Sequence, residues 1–144
     1  MSDDHKVGKK PARDVATRWG NRPALSHSLT KGAGFVALPS VLLEGMGTLN
    51  KYGLTPAELV LIAQLMNFKW DARAPYPSYA RLAERMGVSV PYARKLAKSL
   101  EVKGLLRRNR RKGDTNSFDF SPLFDVLDKA AERSQREREG ADAE

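Results

Sequence analysis

Between Pro77 and Gly104 the chain reads PSYARLAERMGVSVPYARKLAKSLEVKG, and helix starts and stops fall inside this stretch at spacings few folds can use. Ser78 can accept from first-turn amides and so begin a helix over 79–86, with Leu82, Ala83 and Met86 turned inward. Gly87 suits the left-handed cap that ends it, because glycine has no Cβ to clash there. Ser89 begins a second helix, and Pro91 is tolerated in its first turn. Ala93, Leu96, Ala97 and Leu100 recur at i, i+3, i+4 and i+7, which gives that helix one buried face. Gly104 ends it. Only Gly87, Val88 and Ser89 separate the two helices, with Val88 plugging inward, so the pair is a helix-turn-helix.

The sequence beyond Gly104 narrows the architecture. Leu105, Leu106, Arg107 and Arg108 read as one short strand, and Ser117, Phe118, Asp119 and Phe120 as another. Between them, Gly113-Asp114 is a pair favoured in tight hairpin turns. Helix, turn, helix and basic hairpin together give the winged-helix order. The expected fold is therefore mainly α with a small β-hairpin wing (α+β), a winged helix-turn-helix.

Upstream, Phe35, Val36 and Leu38 suit a short strand or extended segment, and Pro39 opens a short helix through Leu43 that closes near Gly45. Thr55 and Glu58 form a capping box with Pro56 at the first helical position. The helix that follows places Leu59, Ile62, Ala63, Met66 and Trp70 on one stripe, with Leu61, Leu65 and Phe68 on adjoining faces. A helix apolar on most sides belongs at the centre of a domain, so its Met and aromatic residues read as core. Two prolines in DARAPYPS then interrupt helix formation. Downstream, Ser121 and Pro122 start a last helix with an apolar seam of Leu123, Phe124, Leu127 and Ala131, expected to dissolve into the acidic tail SQREREGADAE. The organisation expected is a flexible basic N-terminal arm over 1–33, a winged helix-turn-helix domain over 34–121, and a C-terminal helix with an acidic tail over 122–144.

Charge placement points to a partner. The 144 residues carry a formal net charge of +8. Between Ser89 and Lys112 nine Lys or Arg residues face one acid, Glu101, while the remaining sequence has sixteen of each sign. One segment thus accounts for the whole excess, which reads as an electrostatic footprint rather than a solvated face that happens to be basic.

Other chemistries find little support. With no cysteine there is no disulfide framework, thiolate nucleophile or zinc knuckle. His5 and His27 both fall in the arm, and no phosphate-binding Gly-rich loop, HExxH motif or carboxylate pair occurs. The acids of the ordered region read as isolated on helix surfaces, and Glu58 is taken up in capping. No enzymatic activity, cofactor or metal is expected. No run approaches the roughly 18 apolar residues of a membrane span, and the N-terminus lacks a signal-peptide pattern. The expectation is a soluble cytoplasmic, nucleoid-associated protein without a membrane partner.

The segments LTPAELVLIAQLMNF and PSYARLAERMGVSVPYARKLAKSLEVKGLLRR resemble the winged helix-turn-helix domains of plasmid and phage replication initiators and related prokaryotic transcriptional regulators. The resemblance covers residues 54–120 and rests on the initial helix, the proline-containing loop, the turn after Met86 and the GLLRR exit into the wing. One departure stands out: Val90, Pro91 and Tyr92 occupy positions where such domains often carry polar or basic residues, which shifts reading by the first turn toward apolar contacts. The resemblance implies sequence-specific binding of double-stranded DNA. The expected role is a prokaryotic transcriptional regulator of plasmid or phage type, with a replication initiator or accessory DNA-binding module, to which the resemblance gives weight, as the alternative.

The candidate contacts follow from helical spacing. Opposite the core stripe, the second helix carries Pro91, Arg94, Lys95 and Lys98, of which Pro91, Arg94 and Lys98 form one line. A helix fits the major groove, where arginine bonds guanine bidentately and apolar groups touch the thymine methyl. Arg94 is the expected base reader. Tyr92 could contact a sugar or methyl, Ser89 a phosphate while capping its helix, and Lys95 and Lys98 phosphates. On the wing, alternation prevents Arg107, Arg108, Arg110, Arg111 and Lys112 from all facing one way. Arg110, Arg111 and Lys112 near the tip suit backbone or minor-groove contact, with Arg108 a further candidate. The cationic arm could follow an adjacent groove. RNA is less favoured, because Tyr76, Tyr79 and Tyr92 are too few and too near core positions to make a stacking platform. A protein-interaction module acting through the C-terminal helix is a further alternative function: the seam of Leu123, Phe124, Leu127 and Ala131 could join a homodimer or another protein, although such a seam more often packs on its own domain.

Overall fold

The computed structural model describes residues 20–25, 27, 35–46, 52–69, 72–110 and 116–143, and the chain divides into two compact units, Met1–Phe35 and Val36–Glu144. In the first unit, residues 23–25 are helical and the Arg22 amide bonds the Gly20 carbonyl at 3.0 Å. Most of the expected basic arm, including His5 and Trp19, lies outside the described residues.

The second unit opens on an extended segment rather than a strand, and Pro39 (φ −63°, ψ 141°) caps a short helix, α1 (Ser40–Glu44). Tyr52 donates its hydroxyl to the Val41 carbonyl at 3.1 Å. Its ring lies so close to Gly45 that a Cβ there would stand 1.9 Å from ring carbon Cε2, so the position excludes any side chain unless the ring moves.

Helix α2 (Pro56–Asn67) begins with the expected capping box: Thr55 Oγ1 accepts from the Glu58 amide at 3.2 Å, and Glu58 Oε1 accepts from the Thr55 amide at 2.7 Å. Its buried line is Glu58, Leu61, Ile62 and Leu65, whereas Leu59, Ala63 and Met66 are half-buried. The sequence stripe is thus rotated on the helix. Its apolar residues surround most of the axis, so periodicity alone does not fix which side the neighbours cover. Here α3 and α4 decide, since both pack on α2. Trp70 lies outside the described residues.

Helix α3 (Tyr79–Met86) starts where Ser78 Oγ accepts from the Arg81 amide at 3.1 Å. Gly87 ends it at φ 70°, ψ 33°, and the Val88 amide reaches back to the Ala83 carbonyl at 3.0 Å. That reach-back closes the helix and aims the chain into α4 (Val90–Val102), whose first turn is capped by Ser89 Oγ on the Tyr92 amide at 3.2 Å. Ala93, Leu96, Ala97 and Leu100 are all buried, as the spacing requires.

After Lys103 and Gly104, the Leu105 amide bonds the Leu100 carbonyl at 3.0 Å, and Leu105 and Leu106 both enter the core. They finish the helix instead of starting the hairpin, so the ladder begins two residues later than the sequence suggests. Strands β1 (Arg107–Arg110) and β2 (Asn116–Asp119) pair antiparallel, with Arg107 opposite Asp119 and Arg108 opposite Phe118. The turn at Gly113-Asp114 lies outside the described residues. Phe118 donates its amide to the Pro75 carbonyl at 2.8 Å, which ties the proline-rich loop to the wing.

Helix α5 (Ser121–Ala143) spans 23 residues. Leu123 and Leu127 are buried in the same core as Leu61 and Phe118, with Phe124 packed against it, while Ala131 is exposed. Three of the four seam residues therefore serve their own domain. Contrary to the expected dissolution at SQREREGADAE, the helix continues through Ala143. Opposite charges four residues apart, such as Glu132 with Arg136 and Arg133 with Glu137, favour such an exposed helix, and Gln135 Nε2 bonds Glu139 Oε1 at 3.4 Å.

Candidate nucleic-acid interface

The side of α4 opposite its buried stripe presents Pro91, Tyr92, Arg94, Lys95 and Lys98 to solvent, with exposed Ser89 at its start. The geometry follows from the core: burying four residues on one face turns residues 91, 94, 95 and 98 outward. Among the described residues, Arg94, Lys95 and Lys98 form no ion pair. The Arg94 guanidinium lies over the Tyr79 ring, 4.9 Å from its centroid. Arg110 is exposed at the end of β1. Arg111 and Lys112 lie outside the described residues.

Arg108 is placed differently. Directly opposed residues on antiparallel strands point to the same side, so pairing with buried Phe118 turns Arg108 toward the domain. Its Nη2 reaches Glu101 Oε1 at 2.6 Å and its Nη1 donates to the Tyr79 hydroxyl at 2.9 Å, leaving the side chain 19% exposed. The bond from Arg108 holds the Glu101 carboxyl below the usual carboxylate range, outweighing partial burial. The same bond, assisted by Tyr79, pushes Arg108 above the ordinary arginine value despite its desolvation. Arg107, on the other face of the strand, is well exposed and stands 3.9 Å from Asp119.

Lys103 also turns inward, its Nζ 2.6 Å from Glu58 Oε1. Glu58 is buried to 1% exposure rather than lying on a helix surface. Burial alone would raise its carboxyl, but hydrogen bonds from Lys103, Ser99 and the Thr55 amide override that effect and hold it below its ordinary value. The basic segment thus divides into projecting groups (Arg94, Lys95, Lys98 and Arg110) and groups engaged with the domain's acids (Lys103 and Arg108).

Three side chains of interest stand outside the expected set. Arg81 and Arg85 on α3 lie over the Phe68 ring at 5.2 and 4.6 Å, and both are exposed. Their spacing of four residues places them on one helix face, a signal readable in ARLAERM but masked by the larger charge run beyond it. Tyr79 is the third; its role as a hub depends on contacts 15 to 39 residues away, which no local pattern encodes. Among the described residues, no cluster of His, Cys, Asp or Glu could hold a metal ion, and no helix is long and apolar enough to cross a membrane.

Residues 52–106 match the family model described as a helix-turn-helix domain. A search of curated proteins finds no match. Among solved structures, the N-terminal domain of DnaD protein from Geobacillus kaustophilus HTA426 is similar at TM-score 0.57 and 24% identity, over 81% of this chain and 97% of that one. A MarR family protein from Bacillus stearothermophilus aligns at TM-score 0.46 and 18% identity, over 71% of this chain and 69% of that one. The domain match, with the hairpin that follows α4, makes the fold a winged helix-turn-helix, as the resemblance implied, and supports DNA binding.

Proposed function

We propose that this protein binds double-stranded DNA sequence-specifically, with α4 in the major groove, and acts as a prokaryotic transcriptional regulator of plasmid or phage type. The observation that carries this reading is the outward face of α4, where Arg94, Lys95 and Lys98 project without an ion pair among the described residues, opposite a fully buried stripe. A guanidinium edge at Arg94 can bond guanine O6 and N7 together, while Pro91 and Tyr92 suit a thymine methyl. Lys95, Lys98 and Ser89 supply phosphate contacts that set register. Arg110, with Arg111 and Lys112 beyond it, extends positive charge along the wing toward the backbone or minor groove. Arg108 supports this surface from behind, bracing the wing on Glu101 rather than leading the contact.

A replication initiator or accessory DNA-binding module is the second reading, favoured by the sequence resemblance over residues 54–120. Both use the same surface and a cytoplasmic, nucleoid-associated setting. Selection from a random duplex pool, followed by competition with duplex RNA and single-stranded DNA, tests the common claim. Recovery of a defined duplex motif that RNA does not displace is expected. Enrichment of no motif, or displacement by RNA, contradicts it. Sites at promoters would favour the regulator, and arrays of repeats the replication role.

A further inference from the structure

Tyr79 opens α3, and its neighbours fix both ends of its side chain. The hydroxyl oxygen accepts from Arg108 Nη1 at 2.9 Å and from Asn116 Nδ2 at 3.5 Å. The ring meets Phe118 edge-on, with centroids 5.6 Å apart and planes at 89°. Phe118 is itself 1% exposed and tied through its amide to Pro75, so the ring rests against the core. Over the ring lies the Arg94 guanidinium. One half-buried side chain therefore touches α4 and β1, which carry the described part of the proposed DNA surface, and β2, which pairs with β1.

The two ways arginine binds are compatible here. Stacking on an aromatic ring uses the face of the guanidinium, whereas bidentate reading of guanine uses donors along its edge. Among the described residues, no hydrogen bond or ion pair occupies that edge in Arg94. A long side chain fixed before binding has less rotamer freedom left to lose when it binds. The ring that limits Arg94 is in turn limited by Arg108, Asn116 and Phe118.

We propose that Tyr79 is a positioning residue for base recognition: it holds Arg94 in its reading pose before DNA arrives and so governs selectivity more than total affinity. The proposal rests on the DNA reading of α4. It also gives Arg108 a purpose other than phosphate contact, since Arg108 anchors the residue that orients Arg94.

The test uses the full chain as wild type, Tyr79→Leu, Tyr79→Phe, Arg94→Ala and the Tyr79→Leu/Arg94→Ala double variant. Affinities for a selected duplex and a random duplex are measured for each, with thermal midpoints as a folding control. Tyr79→Leu is expected to lower the selected-to-random ratio about fivefold, the size of a modest cation–π contact. Tyr79→Phe keeps the ring but loses the bonds from Arg108 and Asn116, so its ratio should fall between those of wild type and Tyr79→Leu, and the double variant should discriminate no less than Arg94→Ala alone. Independently of DNA, the Arg94 side-chain protons should resonate upfield in wild type and return to random-coil positions in Tyr79→Leu. Random-coil Arg94 shifts in wild type, an unchanged ratio in Tyr79→Leu, or a further loss in the double variant would each overturn the proposal, the last by assigning Tyr79 a purely structural role. A wild type that discriminates no duplex would remove the DNA reading itself, and the positioning role with it. The Arg94 shifts would still distinguish that failure from absence of the stack.

Discussion

Helix α4 and the wing root that follows it draw on one basic stretch and use it in opposite ways. On α4, Arg94, Lys95 and Lys98 face outward because Ala93, Leu96, Ala97 and Leu100 fill the core. Past the helix, Lys103 reaches back to Glu58 and Arg108 to Glu101, each at 2.6 Å. The first group is available to a polyanion, and the second is neutralised within the domain. A charge count along the chain cannot separate them, because the separation is made by residues as distant as Glu58. The comparison shows that net charge marks a basic region without telling which of its groups face solvent.

The largest effect expected from breaking this contrast comes from Glu58→Ala. It removes one member of the capping box and leaves Lys103 without its carboxylate, at a cost of about 2–3 kcal/mol once the partial exposure of Lys103 is allowed for. Denaturant unfolding should show the loss. The pH dependence of stability sharpens the same point. Glu58, Glu101 and Asp119 all have folded-state values below their ordinary ones. Their contribution is thus fully present above the ordinary carboxylate range, at about pH 5 and higher, and is lost progressively as pH falls through that range and the lowered values. Unfolding midpoints in wild type should drop across that acid range, and Glu58→Gln should flatten the drop. A midpoint equally acid-sensitive in Glu58→Gln would remove this pair from the account.

Next in size, Arg94→Ala should cost about 1–3 kcal/mol of discrimination between selected and random duplex while leaving the unfolding midpoint near wild type. Arg108→Ala should act first on the fold: about 1–2 kcal/mol of stability lost, little change in the salt dependence of DNA binding, and a smaller loss of discrimination than in Arg94→Ala, transmitted through Tyr79. The smallest effect belongs to Lys98→Ala, which should reduce the slope of log affinity against log salt by about 0.9 and leave sequence preference intact. Equal salt slopes for the Lys98 and Arg108 variants would erase the distinction between the two halves of the segment.

How much of this could be read from the sequence follows the range of the forces involved. The caps at Thr55, Ser78 and Ser89, the stop at Gly87 and the buried stripe of α4 were legible, because each depends on residues within one or two helical turns. The outward face of α4 followed from that stripe. The strand boundary was misplaced by two residues because Leu105 and Leu106 look like strand residues yet complete the helix end and the core. The orientation of α2 stayed ambiguous in a helix apolar on most sides, and α5 runs past Ser134 without an apolar repeat to announce it. The ion pair of Glu58 with Lys103 and the hub at Tyr79 depend on tertiary approach, for which the sequence offers no spacing rule.

The most direct measurement is competition between a selected duplex and a random duplex for wild type and Arg94→Ala, carried out across salt. The account predicts salt-sensitive binding by both proteins, strong preference for the selected duplex in wild type, and loss of most of that preference in the variant. Equal preference in the two proteins, or no duplex binding by wild type at low salt, would contradict the claim that the exposed face of α4 reads DNA.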